Sequence, residues 1–258
     1  MGKRYDHPDR RPAVITGASS GIGAQTAKAL AAAGMPVALG ARRIDRMREI
    51  AAGIRAAGGE AVAHPLDLTD EVSVADFAAK VRADLGAVEV VISNAGLAAP
   101  GAIHEISSER FGREVDINLI SAHRVVRAFV PDMVRRRRGD LVLVSSDVAV
   151  RARPFTAGYS AGKWGLEGMA AAMQMELEGT GVRVSLVRPG PTSTGQGTDW
   201  ADDEAAYVIN QWVRFGLARH PHFLKADAIA SAIRSIVTAP RGVHLSLIEV
   251  NPEAPVED

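Results

Sequence analysis

Apolar positions along this chain fall into two alternating textures. Short, nearly continuous apolar runs end in small or polar residues, and longer stretches follow in which apolar residues recur at helical spacing. The short runs predict strands over Ala13 to Thr16, Pro36 to Ala41, Ala61 to Leu66, Val88 to Ile92, Asp140 to Val144, Val182 to Val187 and Val243 to Val250. The longer ones predict helices over Ala24 to Ala33, Ile44 to Ala57, Glu71 to Leu85, Ser108 to Arg136, Trp164 to Leu177 and Ala226 to Thr238. Val88 to Ile92 is almost wholly apolar, as a strand covered on both faces of a parallel sheet must be. Strand and helix alternate throughout without repeats or linkers. The pattern therefore predicts an α/β fold, one doubly wound parallel sheet in a single domain over residues 1–258.

Within that domain the expected parts are a flexible tail (1–11), a core (12–190), a covering segment (191–224) and a C-terminal helix, strand and tail (225–258). From Gly195 to Leu224 the periodicity fails and aromatic residues gather: Trp200, Tyr207, Trp212, Phe215 and Phe223, with His220 and His222. Such a segment reads as a substrate lid with an apolar wall. His220 and His222, one residue apart in a loop, are poorly spaced for joint metal ligation and read as structural or rim residues, so no metal is expected.

Composition narrows the functional classes. The 258 residues are 47% hydrophobic with a formal net charge of zero, which argues against nucleic-acid or membrane binding driven by bulk charge. The basic run Arg135 to Arg138 reads as a helix C-terminus, where cations complement the macrodipole. There is no cysteine, so disulfide and thiolate chemistry are excluded. Met1 to Arg11 is charged and lacks the apolar stretch of a secretory signal, and no run approaches the ~20 apolar residues of a membrane span. A cytoplasmic protein is the expectation.

Candidate chemistry collects where strands end. Gly17-Ala18-Ser19-Ser20-Gly21-Ile22-Gly23 follows the first strand and opens a helix, a turn that brings backbone amides close to an anion such as a pyrophosphate. The second strand ends at Arg42-Arg43 with no carboxylate before Asp45, which favours a ribose 2′-phosphate and hence NADP over NAD. Two ordinary surface arginines are the alternative. Asp67 can accept from an adenine amino group or merely close a turn. Asn118 is out of place in an apolar helical stretch, so it either bonds internally or marks a kink. Ser145-Ser146 and Pro189-Gly190-Pro191-Thr192-Ser193-Thr194 both lie at C-terminal strand ends, where open parallel sheets bind ligands. Tyr159 and Lys163 stand four residues apart, on one helix face. A phenol with a free pKa near ~10 needs a shift of roughly three units to act near neutrality, and a cation beside it supplies part of that.

Together these motifs resemble the short-chain dehydrogenase/reductase family over nearly the whole chain. The resemblance rests on Thr16 to Gly23, Asn94-Ala95-Gly96, Ser146, Tyr159-Ser160-Ala161-Gly162-Lys163 and Pro189-Gly190. It implies a Rossmann-type sheet of seven strands in the order 3-2-1-4-5-6-7, and an NADP-dependent oxidoreductase acting on a secondary alcohol or ketone. It also implies a catalytic set of Asn118, Ser146, Tyr159 and Lys163. Tyr159 would be the general acid or base, Ser146 would hold the substrate oxygen, Lys163 would lower the phenol pKa and grip the nicotinamide ribose, and Asn118 would shape a water path. Cofactor contacts would come from Gly17, Ser19, Ser20, Gly21, Ile22, Gly23, Arg42, Asp67, Leu68, Asn94, Ala95, Gly96, Pro189, Gly190, Thr192 and Thr194, besides Tyr159 and Lys163. A homotetramer or homodimer is the corresponding assembly. Departures from the family pattern are Ser93, Gly162 and Asp147, the last either adding a carboxylate near the substrate mouth or capping the loop. A cofactor-binding regulator without turnover, or an epimerase or dehydratase, is the competing reading.

Overall fold

The computed structural model describes residues 6–194, 202–217, 222–254 and 256, without the side chains of 202–205. Seven parallel strands form the main sheet: β1 (Ala13–Thr16), β2 (Val37–Ala41), β3 (Ala61–Pro65), β4 (Val90–Ser93), β5 (Gly139–Val144), β6 (Val182–Pro189) and β9 (Leu247–Val250). Their order is β3-β2-β1-β4-β5-β6-β9. Counted within this sheet alone, that is the order the resemblance implied. Two short strands, β7 (Thr192–Ser193) and β8 (Leu224–Lys225), pair separately.

Alternating strand residues divide the core in two. Val14, Val91, Leu141 and Val184 face one layer, which contains α3 (Glu71–Leu85), α5 (Ser121–Arg136) and α6 (Ala157–Glu176). Ile15, Val90, Ile92 and Val142 face the other, with α1 (Gly21–Ala32), α2 (Ile44–Ala56) and α8 (Ala226–Thr238). Both faces of β4 are thus covered, which is why its sequence is apolar at nearly every position. Met173 on α6 is buried and Met169 packs on the first core layer, leaving Met175 exposed. Among the described residues no helix is long and apolar enough to cross a membrane.

Three local findings differ from the sequence expectations. The single helix expected over Ser108 to Arg136 is α4 (Ser108–Val115), a π-helical turn (Asp116–Ile120) and then α5. The last strand begins at Leu247, because residues 240–243 turn back, with the Val243 amide on the Pro240 carbonyl. Arg11, expected in a flexible tail, is buried and pairs with Asp140, which also takes Arg183. The basic run ends α5 as expected: Arg137 adopts a left-handed conformation at the C-cap, and Arg138 pairs with Glu89.

Candidate active site

The strand register brings β1, β4 and β5 to a common C-terminal edge. There Thr16 joins β1 to β4: its hydroxyl accepts from the amides of Asn94 (3.0 Å) and Ala95 (3.2 Å), and Asn94 Nδ2 donates to the Thr16 carbonyl at 2.9 Å. The glycine turn passes directly over this seam. A Cβ on Gly23 would stand 2.5 Å from the Gly17 carbonyl oxygen, so the helix can start this close to the strand only with glycine there. Gly17 and Gly21 have positive φ, 65° and 52°. The first turn of α1 has no acidic residue, and Ser20 provides no side-chain cap. The amides of this N-terminus thus remain directed at the edge of the sheet, a donor set that suits a pyrophosphate.

A cation lies over that turn, and it is Arg43. Its Nε and Nη2 donate to Ser19 Oγ at 3.2 and 3.0 Å, and Nη2 donates to Ser20 Oγ at 2.7 Å. Arg42, the residue singled out from the sequence, is exposed and makes no such bond to these serines. Asp67 Oδ1 accepts from the Thr69 amide (2.9 Å) and hydroxyl (2.7 Å), which lowers its pKa and fixes the turn leaving β3. The neighbouring Leu68 carbonyl accepts from Ser121 and Arg124. On the other side of the glycine turn, the β6 exit is held by the Gly190 amide on Val250 and by Thr192 Oγ1 donating to the Gly190 carbonyl. Thr194 abuts Gly21, where an added Cβ would lie 3.0 Å from the Thr194 Cβ.

The four residues assigned to proton chemistry meet beside this cradle. Asn118 is buried in the π-helical turn. Its Nδ2 donates to the carbonyls of Leu97 (2.7 Å) and Glu114 (2.8 Å), and its Oδ1 accepts from the Leu97 amide (3.2 Å). The extra residue of a π turn is what turns an asparagine inward from a helix otherwise covered by apolar side chains. Asn118 Oδ1 and Lys163 Nζ both approach Gly96, at 3.0 and 3.6 Å from the position of a Cβ there. Gly162, a departure from the family pattern, lets α6 approach this turn, since a Cβ would stand 2.7 Å from Asn118 Cβ.

Lys163 is buried and donates to the Val144 carbonyl at 2.7 Å, with Nζ 5.7 Å from the centroid of the Tyr159 ring. Desolvation lowers its pKa to about 8, against a smaller opposing pull from Glu167. Tyr159 is half-buried and its phenol hydrogen-bonds the Ser146 side chain. Burial lifts the phenol above its ordinary pKa, Asp147 adds to the rise, and Ser146 and Arg153 oppose it. The expected lowering by Lys163 is not realised in this arrangement, where the ammonium is engaged with a backbone carbonyl.

Two carboxylates complete the site: Asp147, which the sequence left between the substrate mouth and a loop cap, and Glu114, which it did not single out. Glu114 is buried; its Oε1 accepts from the Ala99 amide at 3.0 Å, and its carboxylate also takes the Tyr159 backbone N–H. It therefore caps α6 from a different helix, in place of Thr156, which provides no side-chain cap. The signal was Gly158: any Cβ there would overlap the Glu114 carboxylate. Asp147 begins a short 3-10 turn after β5, accepts the Ser146 hydroxyl at 3.1 Å and pairs with Arg153.

Of the covering segment, Trp200 and His220 lie outside the described residues, and α7 (Asp202–Arg214) carries Tyr207 and Trp212. Trp212 Nε1 donates to the Pro154 carbonyl at 3.1 Å, and the Tyr207 ring meets Phe155 edge-on at 5.3 Å. Phe215, Phe223 and His222 are exposed. The helix thus packs on the loop that leads into α6, and Phe215 faces outward rather than lining a pocket.

Residues 11–205 match the family model described as short chain dehydrogenase. The glycine betaine reductase of Emericella nidulans is 32% identical over 243 residues, 93% of this chain and 18% of that much longer protein. The 3-oxoacyl-(acyl-carrier-protein) reductase of Escherichia coli is 29% identical over 199 residues, covering 77% of this chain and 80% of that one. An alcohol dehydrogenase from Thermococcus sibiricus, solved with 5-hydroxy-NADP, superposes with a TM-score of 0.81 at 33% identity, over 93% of this chain and 96% of that one.

Proposed function

Because the chain belongs to the short-chain dehydrogenase/reductase family, we propose that it is an NADP-dependent oxidoreductase interconverting a secondary alcohol and a ketone, with Tyr159 as general acid and base. The observation that carries this reading is the convergence of Ser146, Tyr159, Lys163 and Asn118 beside a glycine turn overlaid by Arg43. NADP complexes and reductases among the relatives support it.

The nicotinamide ring, when bound, gives or takes the hydride, and the chain's residues supply orientation and the proton. Helix α1 and the turn Gly17 to Gly23 would hold the pyrophosphate, with Arg43, and Arg42 beside it, at the 2′-phosphate. Asn94, Ala95 and Gly96 would border the ribose, with Pro189, Gly190, Thr192 and Thr194 on the facing side and Asp67 and Leu68 at the adenine. In reduction Tyr159 donates its proton to the substrate carbonyl oxygen, and a phenol held above its ordinary pKa is present as the acid form. Ser146 donates to the same oxygen. Lys163 offers its cation to the ribose hydroxyls and to the phenolate left behind. Asn118 holds the π turn open at Gly96, where protons would return to Lys163. A homotetramer or homodimer through the outer faces of α5 and α6 belongs to the same proposal.

The test is turnover of a panel of ketones and secondary alcohols with NADPH, NADH and their oxidised forms. Consumption of NADPH matched by alcohol formed is expected. Cofactor binding with no hydride transfer to any substrate would favour a regulator, and product without net cofactor change an epimerase or dehydratase.

A further inference from the structure

The β5 strand delivers more than a serine to the site. Ser146 donates to Asp147 Oδ1 at 3.1 Å, accepts from the Val148 amide at 3.4 Å, and interacts with the Tyr159 phenol in the sense that favours the phenolate. Asp147 Oδ2 takes Arg153, and both residues are largely withdrawn from solvent, with side-chain exposures of 21% and 11%. Arg153 does not end at the carboxylate. Its guanidinium carbon lies 5.0 Å from the centroid of the Trp212 ring, a cation–π distance. Trp212 belongs to α7, and its Nε1 is fixed to Pro154, the next residue after Arg153. Phe155 follows with φ 66°, a left-handed conformation that L-residues rarely take, and rests edge-on against Tyr207 of the same helix. A continuous path of contacts therefore runs from the covering helix to the serine and phenol: Trp212, Arg153, Asp147, Ser146, Tyr159.

We propose that Asp147 and Arg153 are positioning residues that couple the seating of α7 to the proton-handling pair Ser146 and Tyr159. With Trp212 against its guanidinium, Arg153 stays on Asp147, neutralises it and weakens its hold on the Ser146 hydroxyl, which a substrate oxygen must win. When α7 lifts, Arg153 loses its stacking partner, the carboxylate is less compensated, and Ser146 and Tyr159 lie beside a fuller negative charge. This inference rests on the functional reading above, because it assigns Ser146 and Tyr159 the roles proposed there. The described charged groups facing Tyr159 are Asp147 and Arg153 from the loop after β5, Lys163 from its own helix and Glu114 from α4, the last through the backbone.

The experiment reads the Tyr159 phenol without turnover. The chain has three tyrosines, so protein labelled with 3-fluorotyrosine, whose phenol is more acidic, gives a small set of fluorine resonances assigned with Tyr159→Phe. Their pH titrations are followed in the full chain. Asp147→Asn is expected to lower the Tyr159 midpoint and Arg153→Gln to raise it. Trp212→Leu is expected to raise it as Arg153→Gln does, and to have no effect once Asp147 is Asn. Trp212→Phe keeps an aromatic face and is expected to titrate as the wild type. Should Trp212→Leu fail to fold, Trp212→Gln keeps a donor for Pro154, removes the ring and carries the same prediction. A wild-type midpoint in Trp212→Leu or Trp212→Gln would overturn the coupling, and an unmoved midpoint in Asp147→Asn would overturn the pairing. Absence of hydride transfer in the substrate panel would sink the functional reading and leave this titration standing, so the two failures are distinguishable.

Discussion

Arg43 offers the most quantitative test of how the chain selects its cofactor. Its guanidinium spans Ser19 and Ser20 with three contacts of 2.7 to 3.2 Å, and it is exposed on its outer side. A 2′-phosphate placed there would exchange hydroxyl acceptors for a dianion. A hydrogen bond to a charged group contributes roughly 1.5–3 kcal/mol, against about 0.5–1.5 for a neutral one. Since Arg43 gives up serine bonds and remains in contact with water, the lower end applies. A net preference of about 1.5 kcal/mol corresponds to roughly tenfold in affinity. Calorimetric titration with NADP and with NAD should show Arg43→Ala losing about tenfold for NADP and within about twofold for NAD. The loss should shrink at high salt, because the pair is solvent-screened. Arg42→Ala should change the ratio by less. An unchanged ratio in Arg43→Ala would refute the reasoning, and a larger effect at Arg42 would reassign the contact to the preceding residue.

Two further outcomes follow from the buried groups. Glu114→Gln should preserve fold and turnover, since an amide oxygen can still accept from Ala99 and Tyr159, whereas Glu114→Leu strands both donors. Denaturant titration should then show a loss of about 2–4 kcal/mol, with kcat falling more than KM rises as Tyr159 shifts. Lys163 has a folded pKa of about 8 against the ordinary 10.5 of an unfolded lysine, so between those values the unfolded chain binds more protons. Lys163 should therefore oppose folding below about pH 8, and that penalty should fade as pH rises toward 10.5; comparing urea stability with Lys163→Met across this window checks the sign.

The sheet was legible because its strands are apolar on both faces and the glycine turns are punctuated by helix starts. The strand order came with the family resemblance and agrees with the observed one. What local pattern could not supply was the choice between adjacent residues. Arg42 and Arg43 are identical side chains, and only the twist of the chain leaving β2 decides which one turns over Ser19. The π turn at Asn118 was half visible: an asparagine in an apolar helix signalled a kink, but the extra residue shows only in the hydrogen bonds. Glu114 was hidden because a Glu in a predicted helix looks solvated, and its partner Gly158 lies 44 residues away across the site. Asp147 was left between a loop cap and the substrate mouth because nothing local shows that Arg153, six residues on, folds back to pair with it, or that Trp212 from α7 covers that arginine. The end of the sheet was overextended at Val243 to Ser246, where Val243 closes a turn on Pro240 and His244 meets the Val184 carbonyl through its side chain instead of extending the ladder.

The central claim, that this chain transfers hydride between NADPH and a carbonyl with Tyr159 supplying the proton, is tested most directly by isotope transfer. Purified protein is given NADPH deuterated at the transferable position together with each ketone that supports turnover, and the alcohol is analysed by mass spectrometry. One deuterium on the carbinol carbon is the predicted result, with Tyr159→Phe binding NADPH normally and forming at least about a hundredfold less labelled alcohol. Unlabelled alcohol, or undiminished labelling in Tyr159→Phe, would contradict it.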